Sequence, residues 1–289
     1  MFPESPEFAR SFAIYSDNPA IAHQLVTTDF KHRLLTFHRR IEKPVYLSFI
    51  DDKLYLAISV NKDLFEPTMA QSVLNFELIK ASFEYMRIST EIVEMVKDAQ
   101  LNKPSLPKYV PPKAKLTPYE QFRRFYEINL FTKLLRLKRQ NPPKIDKLNF
   151  KKDIISSIVT FVDDKFTFEP EKQIPLEELK ASGLWKNYHQ LGGEDYIQGT
   201  LEHTEMKCFK VHTLGSKKTS KGLFFIFNFN LSFEGVTVVL PRRQLFRKKS
   251  LTWGGTELNL INLADSEFER QLKTPKSLLS NRSVLITGC

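Results

Sequence analysis

Apolar side chains recur at helical spacing over two long stretches in the first hundred residues. Residues 21–41 and 68–97 each carry an apolar stripe with a repeat of about 3.6 residues, the period of an amphipathic helix. Thr68 and Gln71 have the spacing of a capping box, in which two side chains satisfy free N–H groups at the start of a helix. Two long helices are therefore predicted before residue 98.

A third helix is predicted over residues 118–140, with one apolar side and one basic side. Thr117 and Glu120 form a capping box with Pro118 at the first helical position, and Pro142-Pro143 is a stop signal. The apolar line of this helix is Tyr119, Phe122, Tyr126, Leu130, Leu134 and Leu137. The basic residues are Arg123, Arg124, Lys133, Arg136, Lys138 and Arg139.

Alternating apolar and polar residues predict strands in two parts of the chain. Residues 45–60 predict a hairpin in which Asp51-Asp52 supply the turn. Residues 223–229 are apolar on both faces apart from Asn228, which predicts a central strand that is covered on both sides. Other strands are predicted over 12–15, 195–203, 206–213 and 236–240, and short helices over 153–162 and 175–183. The predicted fold class is α+β: a mainly antiparallel β-sheet packed with helices, plus one basic amphipathic helix.

Changes in composition divide the chain into five segments. Several prolines and lysines without apolar periodicity predict an extended linker over residues 99–117. This linker separates a mixed α/β segment, 1–98, from the basic helix, 118–140. A β-rich segment, 144–271, follows and is expected to pack with residues 1–98. Residues 272–289 are predicted to form an irregular tail.

Composition excludes several broad classes of protein. The chain has 289 residues, of which 42% are hydrophobic and 26% are charged, and these values exclude disorder over most of its length. Two cysteines, Cys208 and Cys289, exclude a disulfide framework, and Cys208 is predicted to be buried in a strand. The first residues are acidic and contain prolines, unlike a secretory signal, and no uninterrupted apolar run reaches the length of a membrane span. We therefore expect a cytoplasmic protein.

The net charge of +10 is concentrated in one part of the chain. Residues 99–152 hold 14 basic and three acidic residues, so the rest of the chain is close to neutral. Charge runs of this kind are usually solvated surface, and they also occur in segments that contact anionic membranes or nucleic acids. A basic amphipathic helix either lies on a membrane or packs into the fold with its cations outside, and the second arrangement is the commoner.

The sequence has no short motif that is typical of catalysis. It lacks a Gly-rich phosphate loop, a nucleophile elbow and a pair of histidines at metal-ligand spacing, so neither a cofactor nor a metal is predicted. An enzyme would need a site assembled from scattered polar residues. Convergence in one pocket of several of the residues His189, Glu194, Asp195 and Asn228 would favour that alternative.

Two sets of short motifs point to a known family. One set runs from Gly193-Glu194-Asp195-Tyr196 through Gly222-Leu223-Phe224-Phe225 to Phe233-Glu234-Gly235. The other set comprises Pro6-Glu7-Phe8, Pro44-Val45-Tyr46-Leu47 and Asp63-Leu64-Phe65-Glu66-Pro67. Both resemble a bacterial family known as domain of unknown function 3137, whose members are sometimes labelled galanin. The resemblance implies membrane-anchored relatives in which a basic helix leads into transmembrane segments and a soluble α+β domain follows.

The chain departs from that family in two respects. Gln140 is followed at once by Asn141-Pro142-Pro143-Lys144 where the resemblance implies membrane spans, so the anchor is expected to be missing. The segments are also in permuted order, because residues 1–98 resemble the C-terminal part of the family's domain and 144–271 the N-terminal part. Glu7-Phe8-Ala9-Arg10 and Glu267-Phe268-Glu269-Arg270 share Glu-Phe-x-Arg. A rearrangement would leave such a repeat at both ends, and chance similarity is the alternative.

These observations favour a non-catalytic interaction or scaffolding domain related to that family, with peripheral contact at the inner face of a membrane. The expected partner is an anionic membrane surface or a membrane protein, contacted through the six basic residues of helix 118–140. Two alternatives stay open. One is an enzyme with a site near Glu194 and Asp195, and the other is a weak nucleic-acid binder acting through residues 99–152, which exposed aromatic residues beside the cations would favour.

Overall fold

A computed structural model describes most of the chain, namely residues 6–60, 65–67, 76–100, 116–140, 146–184, 190–214, 219–242 and 249–261. Within these residues one antiparallel sheet contains ten strands: β1 (Phe12–Ser16), β2 (Val45–Ile50), β3 (Lys53–Ser59), β4 (Thr167–Glu169), β5 (Gln190–Leu201), β6 (Thr204–Leu214), β7 (Thr219–Asn228), β8 (Val236–Pro241), β9 (Ser250–Trp253) and β10 (Thr256–Leu260). Their order across the sheet is β4-β5-β6-β7-β3-β2-β8-β1-β10-β9. The predicted α+β class with a mainly antiparallel sheet is therefore confirmed.

Strands from the two ends of the chain alternate in the centre of the sheet. The predicted hairpin of β2 and β3 is confirmed, and Asp51 at its turn adopts a left-handed backbone with a φ of 54°. β3 pairs on its other side with β7, and β2 pairs with β8. β1 lies between β8 and β10, so that Tyr15 is opposite Val238 on one side and Leu260 on the other. Early and late segments of the chain thus share one sheet.

The central strand β7 is covered on both faces, as its continuous apolar sequence predicts. Phe224 and Ile226 are buried in the hydrophobic cluster on one face of the sheet. Phe225 and Phe227 are buried in the cluster on the opposite face. A strand with no solvated face needs apolar side chains at successive positions, because neighbouring side chains point to opposite sides.

Helices cover both faces of the sheet, and the described residues form nine α-helices: α1 (Pro6–Ser11), α2 (Pro19–Leu25), α3 (Thr28–Ile41), α4 (Phe76–Gln100), α5 (Pro118–Phe125), α6 (Phe131–Gln140), α7 (Lys147–Phe150), α8 (Ser156–Val162) and α9 (Leu176–Ala181). Two π-helical turns, π1 (Tyr126–Leu130) and π2 (Lys151–Ile155), join α5 to α6 and α7 to α8. The resulting continuous helices are called helix 118–140 and helix 147–162 below. The large core lies between α1–α8 and one face of the sheet, and Leu176 and Leu179 of α9 pack on the other face.

Two helix predictions differ from the structure in their boundaries. The single helix predicted over 21–41 is wrong, because α2 ends at Leu25 and Thr27 starts α3 by accepting a hydrogen bond from the Phe30 N–H. The helix predicted from residue 153 begins at Lys147, where Asp146 accepts a hydrogen bond from the Asn149 N–H. In both cases a side-chain cap marks the true helix start.

Several predictions fall wholly or partly outside the described residues. These are the capping box of Thr68 and Gln71, the linker apart from its two ends, the Pro142-Pro143 stop signal and the tail over 272–289. The helix predicted to end near residue 97 continues to Gln100 as α4. The boundaries of the five segments stay predictions.

Candidate functional site

The six basic residues predicted as a contact surface are all exposed on helix 118–140, and we call them the basic face. The predicted capping box is confirmed, since the Glu120 N–H donates to Thr117 Oγ1 over 3.2 Å and the Thr117 N–H donates to Glu120 Oε2 over 2.7 Å. The apolar line of the helix is buried apart from Tyr119, which is partly buried. The helix therefore packs into the core with its apolar line and leaves its cations in solvent.

Two large apolar side chains interrupt the basic face. Ile128 is 73% exposed and Phe131 is 40% exposed, and they are three positions apart on the helix. Arg124 lies four positions before Ile128, so these side chains occupy neighbouring turns. The sequence analysis missed this pair because it assigned only one apolar side to the helix. The exposed surface of helix 118–140 consequently combines cations with apolar contact points.

A second group of charged residues lies between helix 147–162 and the sheet. We call Glu66, Lys151, Glu194, Asp195 and Lys210 the ionic cluster. Asp195 is fully buried, and the side chains of Lys151 and Lys210 are 8% and 7% exposed. Lys151 Nζ lies 2.8 Å from Asp195 Oδ1, while Lys210 Nζ lies 2.7 Å from Glu194 Oε1 and 3.2 Å from Asp195 Oδ2. Two buried ammonium groups thus share a pair of carboxylates.

Glu66 extends the ionic cluster towards the surface. Its Oε1 lies 3.3 Å from Lys210 Nζ, and its Oε2 lies 2.6 Å from Nζ of Lys147, whose side chain is 62% exposed. Including Lys147, three lysines face three carboxylates, so the charges balance. A buried charge is stable only when it is paired in this way.

Irregular backbone brings these side chains together. β5 has a bulge between Glu194 and Ile197, and Asp195 adopts a φ of 61°, which is rare for a residue other than glycine. In a regular strand Glu194 and Asp195 would point to opposite faces, whereas the bulge allows both to reach Lys210. Lys151 stands at the start of π2, so the helix that carries this lysine also departs from ideal geometry, as does the strand that carries the two acids. Such departures concentrate at functional sites.

The pKa values of the three carboxyl groups in the ionic cluster are shifted from their ordinary values in different directions. Burial acts to raise the pKa of Glu66 and of Glu194, but their ion pairs with lysines outweigh it and hold both pKa values below the ordinary range. For Asp195 burial outweighs the pairing with Lys151 and Lys210, and its pKa is raised. The pKa of Lys210 is raised because the carboxylates around it more than offset its burial. The acidic pair of β5 therefore binds protons unequally.

Acid is expected to destabilise the protein through Glu66 and Glu194. A carboxyl whose pKa is lowered by folding contributes stability above its unfolded pKa, about 4.5, and this is lost as the pH falls through the folded pKa. Asp195 acts with the opposite sign because folding raises its pKa. The free energy of unfolding, measured by urea denaturation between pH 7 and pH 3, should fall less steeply with acid in Glu66→Gln than in the wild type. The exposed Glu257→Gln is the control, and an unchanged slope in Glu66→Gln would refute the assignment.

The residues named for an enzyme converge only in part. Glu194 and Asp195 lie together in the ionic cluster, but Asn228 is elsewhere and its Nδ2 lies 3.4 Å from Glu205 Oε2. His189 lies outside the described residues. Both acids form ion pairs with lysine ammonium groups, so the arrangement has the chemistry of a buried charge network. The sequence contained the two acids but no signal for their lysine partners.

Two other residues considered as candidates, Cys208 and Trp253, are buried in the hydrophobic core. Cys208 is fully buried in β6, as predicted, and burial together with the charge of Asp195 raises its thiol pKa. Trp253 is buried too, and its indole N–H donates to the Ser182 carbonyl over 3.1 Å. Within the described part of the chain, no group of three or more His, Cys, Asp or Glu residues is arranged to hold a metal ion.

Fold and surface together define an α+β protein built on one antiparallel sheet, with a basic helix on its outside. Residues 3–97 match the family described as "Protein of unknown function (DUF3137)", which confirms the predicted resemblance over this segment. No curated protein and no solved structure matches the chain. Among the described residues no helix has the length and apolar character needed to cross a membrane. The galanin label and the permuted order of segments stay predictions.

Proposed function

We propose that the protein is a non-catalytic interaction domain that makes peripheral contact with an anionic membrane surface through helix 118–140. The observation that carries this proposal is the exposure of all six cations of the basic face around two exposed apolar side chains, Ile128 and Phe131. Cations surrounding apolar side chains are typical of helices that lie in a membrane interface. In a bacterial cell the corresponding surface is the inner face of the membrane.

The expected contact is shallow and sensitive to salt. Each Lys or Arg near an anionic surface contributes on the order of 1 kcal/mol at low ionic strength. Because the apolar line of the helix is buried in the core apart from the partly buried Tyr119, Ile128 and Phe131 are the exposed large apolar side chains that this helix offers for insertion among the lipids. At physiological salt the Debye length is about 8 Å, so charges that do not touch the headgroups contribute little.

Co-sedimentation with vesicles tests this function. Vesicles that contain phosphatidylglycerol should bind the protein at low salt, bind it more weakly at physiological salt, and bind it better than neutral phosphatidylcholine vesicles. Changing Arg123, Arg124, Arg136 and Arg139 together to Gln should weaken binding at least about tenfold, which corresponds to about 1.4 kcal/mol.

A variant with the same loss of charge elsewhere provides the control. Lys165, Lys172, Lys180 and Lys249 are exposed and lie off helix 118–140, and changing all four to Gln should leave vesicle binding nearly unchanged. Equal losses in the two quadruple variants would show that net charge alone drives the contact. Tighter binding to single-stranded nucleic acid than to vesicles would replace the proposal with the nucleic-acid alternative.

Phe131→Ser combined with Ile128→Ser tests the apolar part of the same contact. Removing two exposed apolar side chains should leave binding at low salt largely intact and reduce the fraction that survives at physiological salt, because burial of apolar surface is not screened by ions. Co-sedimentation at the two salt concentrations measures both quantities. If the double variant binds like the wild type at physiological salt, Ile128 and Phe131 do not enter the interface.

A further inference from the structure

A groove of about 460 Å³, lined by both polar and apolar side chains, lies between helix 118–140 and helix 147–162. Each wall of this groove contains a π-helical turn. Asn129 belongs to π1, and Lys152 and Asp153 belong to π2. An α-helix that widens into a π-turn loses regular hydrogen bonding, and such turns are frequent at functional sites. Two of them on opposite walls of one groove indicate that the groove has a role in binding.

The side chains of the groove suit a phosphate group. Lys133 stands on one wall and Lys152 on the other, and both are exposed. Lys133 Nζ donates to Ser157 Oγ over 2.8 Å, which fixes this ammonium group across the groove. The Ser156 hydroxyl is a further donor on the wall of the groove, whereas the Thr160 hydroxyl donates to the Ser156 carbonyl over 3.1 Å. Ammonium and hydroxyl donors around an open space form the charge-assisted hydrogen bonds that phosphate oxygens accept.

The rest of the groove limits the ligand. Phe125 and Phe161 line it with stacked rings whose centroids are 4.4 Å apart, so the ligand meets an apolar surface as well as the donors. Asp153 is the one acidic residue among those that line the groove. Two lysines and one aspartate leave a net positive charge, which favours an anion that also carries an apolar part.

We propose that this groove binds the phosphate of a phosphomonoester headgroup, as in phosphatidic acid. The inference rests on the proposed membrane contact and deepens it, because Lys133 belongs both to the groove and to the basic face. Asn129 directly follows the exposed Ile128, so the groove adjoins the surface proposed to meet the lipids. A phosphomonoester carries a charge of about −1.5 to −2 at neutral pH, whereas a phosphodiester carries a single charge. Two lysines therefore favour the monoester.

Binding to two kinds of anionic vesicle at equal surface charge tests the inference. At physiological salt the full-length protein should bind phosphatidic acid vesicles about fivefold or more tightly than phosphatidylglycerol vesicles. Lys152→Gln should remove this preference and change binding to phosphatidylglycerol by less than about twofold, because Lys152 lies on the second helix and not on the basic face. Lys165→Gln removes one exposed positive charge outside the groove and should preserve the preference.

Failure of this inference is distinguishable from failure of the proposed function. Equal binding to the two vesicles, or a preference that survives in Lys152→Gln, overturns the headgroup site and leaves the general membrane contact standing. Absence of binding to either anionic vesicle overturns the membrane contact itself.

Titration with glycerol 3-phosphate, followed through the amide resonances of Asn129 and Ser156, separates the two sources of phosphate. Shifts that saturate with this soluble ester, without any preference between vesicles, would assign the groove to a free phosphate ester and overturn the lipid headgroup.

Discussion

Replacing Phe122 with alanine is expected to lower the free energy of unfolding by about 3–5 kcal/mol, the cost of removing a buried aromatic ring. Phe122 is fully buried, and its ring stacks on that of Phe83 with centroids 4.1 Å apart. The ring centroid of Phe161 lies 5.5 Å from that of Phe122 and 5.8 Å from that of Phe83, so the three rings contact one another. Because Phe83 belongs to α4 and Phe161 to α8, the alanine variant leaves a cavity where three helices meet.

Phe131→Ala is the matched control for this prediction. It removes the same ring from the same helix at a position that is 40% exposed, and the expected loss is below about 1 kcal/mol. Urea unfolding followed by circular dichroism measures both variants. Equal losses would mean that helix 118–140 is not held to the core by its apolar line. They would contradict the assignment of one side of the helix to the core and the other side to membrane contact.

Replacing Lys210 with methionine is expected to cost about 3–5 kcal/mol, since removing one partner of a buried ion pair leaves the other charges uncompensated. Lys210 Nζ contacts Glu66, Glu194 and Asp195, and its side chain is only 7% exposed. Methionine keeps most of the volume of the lysine stem, so the loss reports on charge more than on packing. Chemical denaturation at neutral pH measures the change.

Lys207→Met supplies the control from the same strand. Lys207 points to the opposite face of β6 and pairs with Glu178 at 2.8 Å, with a side chain that is 37% exposed. A partly exposed pair of this kind contributes less than about 1 kcal/mol.

Adding Asp195→Asn to Lys210→Met should recover part of the loss, because it removes one of the charges left without a partner. Similar losses for the two lysine variants, or no recovery in the double variant, would contradict the view that the ionic cluster is a coupled unit.

Local signals explain why helix 118–140 could be predicted from the sequence. A capping box, a proline at the first helical position and a single apolar line all act within a few residues of one another, and the structure confirms each of them. The hairpin of β2 and β3 was predictable for the same reason, because its alternation and its Asp51-Asp52 turn are contiguous. The exposure of Ile128 and Phe131 was not predictable in this way, because the helices and strands that pack on helix 118–140 decide which of its apolar residues face solvent.

The hairpin of β9 and β10 carried a signal that the sequence analysis did not use. Gly254 and Gly255 stand between two short strands and adopt φ values of 57° and 92°. Two consecutive glycines between strand-forming residues, here Trp253 and Thr256, are a recognised two-residue hairpin turn, because glycine adopts positive φ without steric cost. Strands of four and five residues are too short to show a convincing alternation on their own.

The ionic cluster could not be predicted from the sequence. Lys210 and Glu66 are 144 positions apart, and only the sheet and helix 147–162 bring them together. The bulge at Asp195 and the π-turn at Lys151 leave no compositional mark that distinguishes them from regular strand and helix. In a regular strand Glu194 and Asp195 would point to opposite faces, so the backbone irregularity that unites them is a property of the folded chain.

Strand β1 is made before either of its neighbours in the sheet. Ser16 pairs with Thr237, 221 positions later, and Tyr15 pairs with Leu260. At a synthesis rate of about 5–20 residues per second, β1 leaves the ribosome roughly 10–50 s before β8 is complete. All five residues of β1 are buried in the finished sheet. Throughout that interval the nascent chain carries an unpaired apolar strand, so its folding in the cell depends on protection from aggregation until the late strands arrive.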